Sequence, residues 1–150
     1  MLNAIHLYRV ERWLYRHRVP FLPDVVKLLI FLLFSSTVPY TVEIGPRSFF
    51  AYGGIGVVLH KRCRIGSDVI IGQQVTVGGK SGATQPPRIG NHCYLGPKAS
   101  ILGDIEIGDY VIIGANAVVL ASVPSYTVVA GVPARVLRTG ISVDEYERLL

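Results

Sequence analysis

Histidines are the groups in this chain that could move a proton near neutral pH, because an unperturbed imidazole has a pKa of about 6.5. His60 lies in a stretch of aliphatic residues and glycines, and His92 lies in a similar stretch further on. We interpret His60 as the candidate general base, and His92 as a second candidate for catalysis or for binding an acceptor. For both, the alternative is a polar residue at a surface turn. His6 and His17 lie in a segment of different composition, and we expect them to be structural or solvated.

The two cysteines, Cys63 and Cys93, do not form a C-x-x-C pair. No export signal is recognisable, so we predict that both are buried thiols. A zinc site of protein ligands would need three converging side chains, whereas only His60 and His92 lie in the same part of the chain. We therefore predict no metal site.

A repeat of six residues runs from Ile65 to Val119 and must position these side chains. Its first position is always Ile, Leu or Val, and its second position is usually Gly. A helix does not produce this pattern, because its period of about 3.6 residues does not divide six. Short strands that turn at the glycines fit it, with the aliphatic residue pointing inward. The repeat predicts a mainly β fold, a parallel β-solenoid in which each coil buries the face of the next.

The repeat is interrupted in two places. The polar stretch "GKSGATQPP" predicts an extruded loop over residues 80–88. Upstream, the six-residue step slips by three within "YGGIGVV", so we expect one face or turn to be skipped just before His60. Both irregularities offer a place for a pocket, since loops on a rigid scaffold often carry function.

The flanks of the repeat differ from it, and they divide the chain into three sections. Residues 1–40 form a helical segment, residues 41–137 form the solenoid domain, and residues 138–150 form a tail with a short helix. In this tail Ser142 and Glu145 have the spacing of a capping box. The apolar run "VVKLLIFLLF" is too short to cross a bilayer. We expect the N-terminal helices to pack on the domain or a partner subunit, or to rest on a membrane surface.

Composition narrows the class of partner. The chain has 150 residues, of which 50% are hydrophobic and 17% are charged, so disorder is excluded. The net charge of +5 could favour an anionic ligand or an anionic membrane. No basic run or nucleic-acid module is present, so we expect no nucleic-acid partner. We expect a cytoplasmic protein, with the inner face of the membrane as an alternative place.

The repeat, the "VTVGGKSG" loop and the "AGVPAR" exit together resemble the hexapeptide-repeat acyltransferases, and by pattern serine O-acetyltransferase above all. The resemblance covers about residues 44–137. It implies a left-handed parallel β-helix, a homotrimer, and acetyl-coenzyme A as co-substrate in a cleft between subunits. It also implies direct transfer: a histidine takes the proton of an acceptor hydroxyl, whose oxygen attacks the thioester carbonyl.

The same resemblance suggests where the coenzyme binds. The glycines would let its pantetheine arm approach the backbone, the small residues would line the cleft, and the arginines would pair with its phosphates. The residues implied are Gly78, Gly79, Pro97, Ala115, Arg135 and Arg138.

The sequence departs from serine acetyltransferase at the acceptor side. The family's catalytic histidine falls on Gly53, and a second histidine that binds serine falls on Pro86. The pattern "GGIGVVLH" and the short N-terminal section resemble a subgroup associated with surface polysaccharide synthesis. The predicted function is therefore acetyl transfer to a sugar hydroxyl. The alternatives are serine O-acetylation and a non-catalytic trimeric scaffold.

Overall fold

The six-residue repeat folds into a parallel β-helix, which confirms the predicted mainly β solenoid. The computed structural model describes residues 2–150. Twelve short strands form the coils of the solenoid, and two longer strands follow them at its C-terminal end. The strands are β1 (Glu43–Ile44), β2 (Phe49–Phe50), β3 (Val58–Leu59), β4 (Arg64–Ile65), β5 (Ile70–Ile71), β6 (Thr76–Gly78), β7 (Arg88–Ile89), β8 (Tyr94–Leu95), β9 (Ser100–Leu102), β10 (Glu106–Ile107), β11 (Ile112–Ile113), β12 (Val118–Val119), β13 (Thr127–Ala130) and β14 (Arg135–Thr139).

Every third strand of the coils joins the same sheet, so the coil has three flat faces. The first face has the order β1-β4-β7-β10, the second β14-β13-β11-β8-β5-β2, and the third β12-β9-β6-β3. All pairs are parallel and in register, except β13 with β14. The register places equivalent residues of successive coils directly above one another, as Ile44, Ile65 and Ile89 show.

The aliphatic residue of each repeat fills the interior. Ile71, Val77, Leu95, Ile101 and Ile113 are all fully buried. Burial of such a side chain contributes about 1.5–3 kcal/mol, and the repetition makes this the main stabilising term. The neighbouring residues that point outward are not constrained by packing of the interior. Functional side chains can therefore lie at these outward positions.

The corners allow neighbouring coils to approach closely. A Cβ atom added at Gly66 would lie 2.5 Å from the carbonyl oxygen of Gly90, which belongs to the next coil. Gly90 has the same relation to Gly108 one coil further on, at 2.7 Å. Coil-to-coil packing therefore requires glycine at Gly66 and Gly90, which occupy the second position of the repeat.

The two interruptions lie at different corners. The step from Phe50 to Leu59 is nine residues instead of six, and residues Ala51–Gly54 form a 3₁₀ turn there. No face is skipped: the expectation of a missing face was wrong, because the three extra residues are absorbed in this turn. The second interruption is the loop 79–87, and Arg88 already begins β7.

Two helices close the N-terminal end of the solenoid. They are α1 (Ala4–Arg16), capped by the Asn3 side chain, and α2 (Leu22–Phe34). Arg9 donates hydrogen bonds to the carbonyls of Ile44 and Gly45. Carbonyl groups of the first coil therefore accept hydrogen bonds from a side chain of α1. Within residues 2–150 we find no helix long and apolar enough to span a membrane.

The C-terminal end is closed by an antiparallel strand that the sequence did not predict. β14 pairs with β13, and helix α3 (Val143–Leu149) follows. The Ser142 side chain accepts a hydrogen bond from the backbone N–H of Glu145, as the capping-box spacing predicts. Ile141 and Tyr146 pack on Ile112 of the second face, so the tail is anchored on the domain.

Candidate functional site

His60 follows β3 at the corner between the third and first faces. Its backbone N–H donates to the carbonyl of Val77 at 2.8 Å, which sets it beside β6 in the next coil. Its Nδ1 accepts a hydrogen bond from the backbone N–H of Arg62 at 3.2 Å. In the neutral imidazole the proton is then on Nε2. Nδ1 carries the lone pair and is therefore the atom that would take a proton from an acceptor.

Gly78 and Gly79 lie at the end of β6, next to His60. A Cβ atom at Gly79 would meet no other atom within 4 Å, and one at Gly78 would meet only side-chain atoms, at 3.5 Å or more. Packing within the chain therefore does not require glycine at either position, in contrast to Gly66. The open backbone at this corner fits the approach of an extended group such as a pantetheine arm.

His92 lies at a different corner, between the first and second faces. Its ring stacks on Tyr110 with centroids 4.5 Å apart, and its Nε2 lies 3.9 Å from a carboxylate oxygen of Asp68. Asp68 is already held by Arg47 through two hydrogen bonds, which lower the pKa of its carboxyl. Tyr126 continues the stack. The structure does not bring His92 near His60 within one chain, so its role as catalyst stays a prediction.

The other residues predicted for the coenzyme occupy two further places. Pro97 and Ala115 lie on successive coils at the corner between the second and third faces, where the backbone N–H of Asn116 donates to Pro97. Arg135 and Arg138 lie on the exposed strand β14, and Arg138 pairs with Glu145 at 2.7 Å. Within one chain, His60 lies next to Gly78 and Gly79, and Pro97 lies next to Ala115. These two groups are at different corners of the solenoid. All remain predicted site residues.

Neither of the two positions at which the resemblance expects a histidine, Gly53 and Pro86, carries a polar side chain. Gly53 is buried in the 3₁₀ turn with a φ of +77°. Its neighbour Gly54 is packed against Phe50 and Ala4 of α1. Pro86 lies at the base of the 79–87 loop. No proton-transfer group is therefore present at Gly53 itself.

A cluster of basic side chains beside His60 was missed by the sequence analysis. A pocket of about 310 Å³ is lined by Lys61, Arg62, Arg64 and Arg88, with Thr41, Glu43, Cys63, Gln85 and Pro86 completing it. We call it the basic pocket. The run "HKRCR" was the available signal, because alternation in a strand places Arg64 outward beside the inward Ile65.

The cysteines are buried, as predicted. Burial raises the pKa of the Cys63 and Cys93 thiols to about 12, so neither is a thiolate near neutral pH. Among residues 2–150 no group of three or more His, Cys, Asp or Glu side chains is placed to hold a metal ion.

Comparisons with known proteins agree with this architecture. The profile of the family "Bacterial transferase hexapeptide (six repeats)" matches residues 86–121. Serine acetyltransferase of Synechococcus elongatus is 38% identical over 145 residues, which are 95% of this chain and 59% of that protein. The chain spans between half and about two thirds of the length of the curated relatives it matches.

Solved structures of serine acetyltransferases are also similar to this chain. Serine acetyltransferase from Brucella abortus in complex with coenzyme A superposes with a TM-score of 0.84 at 30% identity, covering 93% of this chain and 56% of that one. The soybean enzyme complexed with serine gives 0.81 at 33%, covering 89% and 56%. The chain therefore carries a transferase hexapeptide repeat over residues 86–121, and it is similar in fold and sequence to serine acetyltransferases.

Proposed function

We propose that this chain is an acetyl-coenzyme A-dependent O-acetyltransferase that transfers acetyl directly to a hydroxyl group. The observation that carries the proposal is the position of His60 beside the open backbone of Gly78 and Gly79. Relatives named serine acetyltransferase that align over nine tenths or more of the chain support it. The coenzyme complex of a similar protein supports acetyl-coenzyme A as the donor.

In the proposed reaction His60 takes the proton of the acceptor hydroxyl. The hydroxyl oxygen forms a bond to the thioester carbonyl carbon, the carbon–sulfur bond breaks, and the thiolate takes the proton from the imidazole. Backbone N–H groups close to the glycine pair could stabilise the oxyanion. Both thiols are buried and protonated, which favours direct transfer over an acyl-cysteine intermediate.

Serine is the first acceptor to test, because the relatives over this region are named for it. A sugar hydroxyl is the second candidate. It is favoured by one observation: Gly53 and Pro86 stand where the family resemblance expects two histidines, one of them for serine. A non-catalytic scaffold is the outcome expected if neither acceptor is used.

We propose that the working unit is a homotrimer. His60 lies at one corner of the solenoid, while Pro97 and Ala115 lie at another. A neighbouring subunit would place these two corners against one another, so that a complete cleft would form only between chains.

We also propose that the N-terminal helices rest on an anionic membrane surface. α2 exposes large apolar side chains, including Leu28, Phe31 and Leu32. Arg16 at the end of α1 and Arg18 in the turn before α2 are both exposed, and their charge is complementary to anionic lipids.

The test of the transfer activity measures release of free thiol from acetyl-coenzyme A in the presence of serine or of a panel of monosaccharides. We expect turnover with one of them, and a loss of at least about 100-fold in His60→Ala, because general-base catalysis contributes about 10²–10⁴-fold. His17→Ala is the matched control and should retain full activity. Absence of turnover with every acceptor, together with no coenzyme-dependent rise in melting temperature, would show that the chain is not this enzyme.

A further inference from the structure

We propose that the basic pocket binds the phosphate group of a small molecule. The pocket lies on the first face of the solenoid, across three successive coils and beside the 79–87 loop. The proposal concerns binding and does not depend on the transfer activity.

The first argument is a repulsive contact that the fold preserves. Arg64 and Arg88 are direct partners across the parallel strands β4 and β7, on the outward side. Like charges directly opposite in a sheet are destabilising. Glu43, the partner of Arg64 on the other side, forms an ion pair with it at 3.3 Å. Glu106 is the partner of Arg88 on its other side, so the two arginines are direct neighbours between two carboxylates. An anion bound between the arginines would relieve their mutual repulsion.

The second argument is the net charge of the pocket. Its lining holds four cationic side chains and one carboxylate, Glu43, which leaves three positive charges in excess. Among the ion pairs of residues 2–150, none involves Lys61, Arg62 or Arg88. A zwitterion such as serine carries no net charge to balance this excess, whereas a phosphate ester carries up to two negative charges. Guanidinium groups also bind phosphate oxygens in pairs.

The third argument is that the wall of the pocket is held in place. Arg62 donates to the carbonyl of Thr84 in the loop at 3.3 Å, and the Thr84 hydroxyl donates to Asp104 at 3.0 Å. On the opposite side the Thr41 hydroxyl donates to the carbonyl of Lys61 at 2.7 Å. A pocket held in this way loses little conformational entropy when a ligand enters.

The phosphate could come from a phosphorylated acceptor or from the coenzyme. Both have the chemistry that the pocket requires, and the experiment separates them. The probes are inorganic pyrophosphate, glucose 1-phosphate and coenzyme A, each compared with sodium chloride at equal ionic strength.

The experiment measures the melting temperature of the full chain against probe concentration. We expect pyrophosphate to stabilise the wild type beyond the effect of sodium chloride. In Arg64→Gln and Arg88→Gln the apparent affinity should fall about tenfold or more, because each variant loses charge-assisted hydrogen bonds. Arg148→Gln, an exposed arginine outside the pocket, is the matched control and should bind like the wild type.

The other two probes identify the source of the phosphate. Weaker binding of glucose 1-phosphate in the two arginine variants indicates a phosphorylated acceptor, and weaker binding of coenzyme A indicates the coenzyme. The proposal is overturned if pyrophosphate stabilises the wild type no more than sodium chloride does. It is equally overturned if the two variants respond to all three probes as the wild type does.

Discussion

At the scale of single residues, Glu11 is the most unusual group outside the candidate site. It lies on α1, is fully buried, and both of its carboxylate oxygens lack a hydrogen-bond partner. Burial raises its pKa to about 8, with Lys27 opposing the shift and Asp24 adding to it. The carboxyl group is therefore protonated at neutral pH, which avoids an unpaired charge in the interior.

We predict that Glu11 makes the protein less stable as the pH rises. The unfolded carboxyl has a pKa near 4.5 and the folded one near 8. Between these values the folded state holds a proton that the unfolded state has lost, so the free energy of unfolding falls by up to about 1.4 kcal/mol per pH unit. Urea unfolding from pH 5.5 to 8 measures this slope.

Glu11→Gln replaces the protonated carboxyl with a neutral isostere and should reduce that slope. Glu147→Gln, at an exposed position on α3, should leave it as in the wild type. Equal slopes in the wild type and in Glu11→Gln would show that Glu11 does not carry the effect.

The sequence predicted the location of single residues better than their surroundings. The repeat gives the position of each corner, and the structure places His60 at one of them beside the glycine pair, a proximity that the sequence did not predict. The hydrogen bond from Arg62 to its Nδ1 depends on local geometry that the repeat does not encode. The basic pocket was missed, because Arg64 and Arg88 are far apart in the chain and meet only through the parallel register of β4 and β7.

At the scale of elements, the strands of the coils were predictable and the closing strand was not. Every repeat places one aliphatic side chain inward, so its signal recurs from coil to coil. β14 carries no such signal, because all five of its residues are exposed. In the sequence, the 3₁₀ turn at Ala51–Gly54 is visible only as a shift of three residues in the phase of the repeat. Such a shift does not distinguish added residues from a missing face.

The contrast between two glycines gives a prediction for the coils. Gly66→Ala should destabilise the protein by about 1–3 kcal/mol, because its Cβ would overlap backbone atoms of Gly90. Gly79→Ala should leave the free energy of unfolding within about 0.5 kcal/mol of the wild type, since the space there is open.

The two variants should differ in function as well, if the coenzyme passes Gly79. We expect Gly79→Ala to raise the Kd for coenzyme A, measured by calorimetry, while the melting temperature is unchanged. An unchanged Kd would remove Gly79 from the proposed coenzyme site.

The exposed face of α2 gives the second prediction at this scale. The wild type should sediment with phosphatidylcholine vesicles that contain phosphatidylglycerol, and less with phosphatidylcholine alone, because both apolar contact and charge contribute. Leu32→Glu, at a side chain that is 66% exposed, should weaken this binding. Leu149→Glu on α3 is the control.

If no vesicle binding is found, and Leu32→Glu instead lowers the molecular mass in solution, the face of α2 contacts a second copy of this chain. That result would contradict the membrane proposal. The fold of the coils should be unaffected in both glutamate variants, which circular dichroism will check.

At the scale of the whole molecule, the separation of His60 from Pro97 and Ala115 predicts that activity requires assembly. Light scattering should give three times the 16.4 kDa mass of one chain. Dilution that dissociates the trimer should abolish acetyl transfer in parallel with the loss of mass. A monomer with full activity would contradict the proposal that the cleft lies between subunits.

The closed ends of the solenoid determine how the protein behaves at high concentration. A stack of parallel strands normally leaves edges on which another chain could add, and so grow into a fibre. Here α1 and Thr37 occupy the first coil, with Thr37 bridging to Val58. At the other end β14 turns antiparallel and carries Arg135 and Arg138 outward. On the second face, a further strand would have to add to a strand of reversed direction, which disfavours growth of that sheet from one molecule into the next.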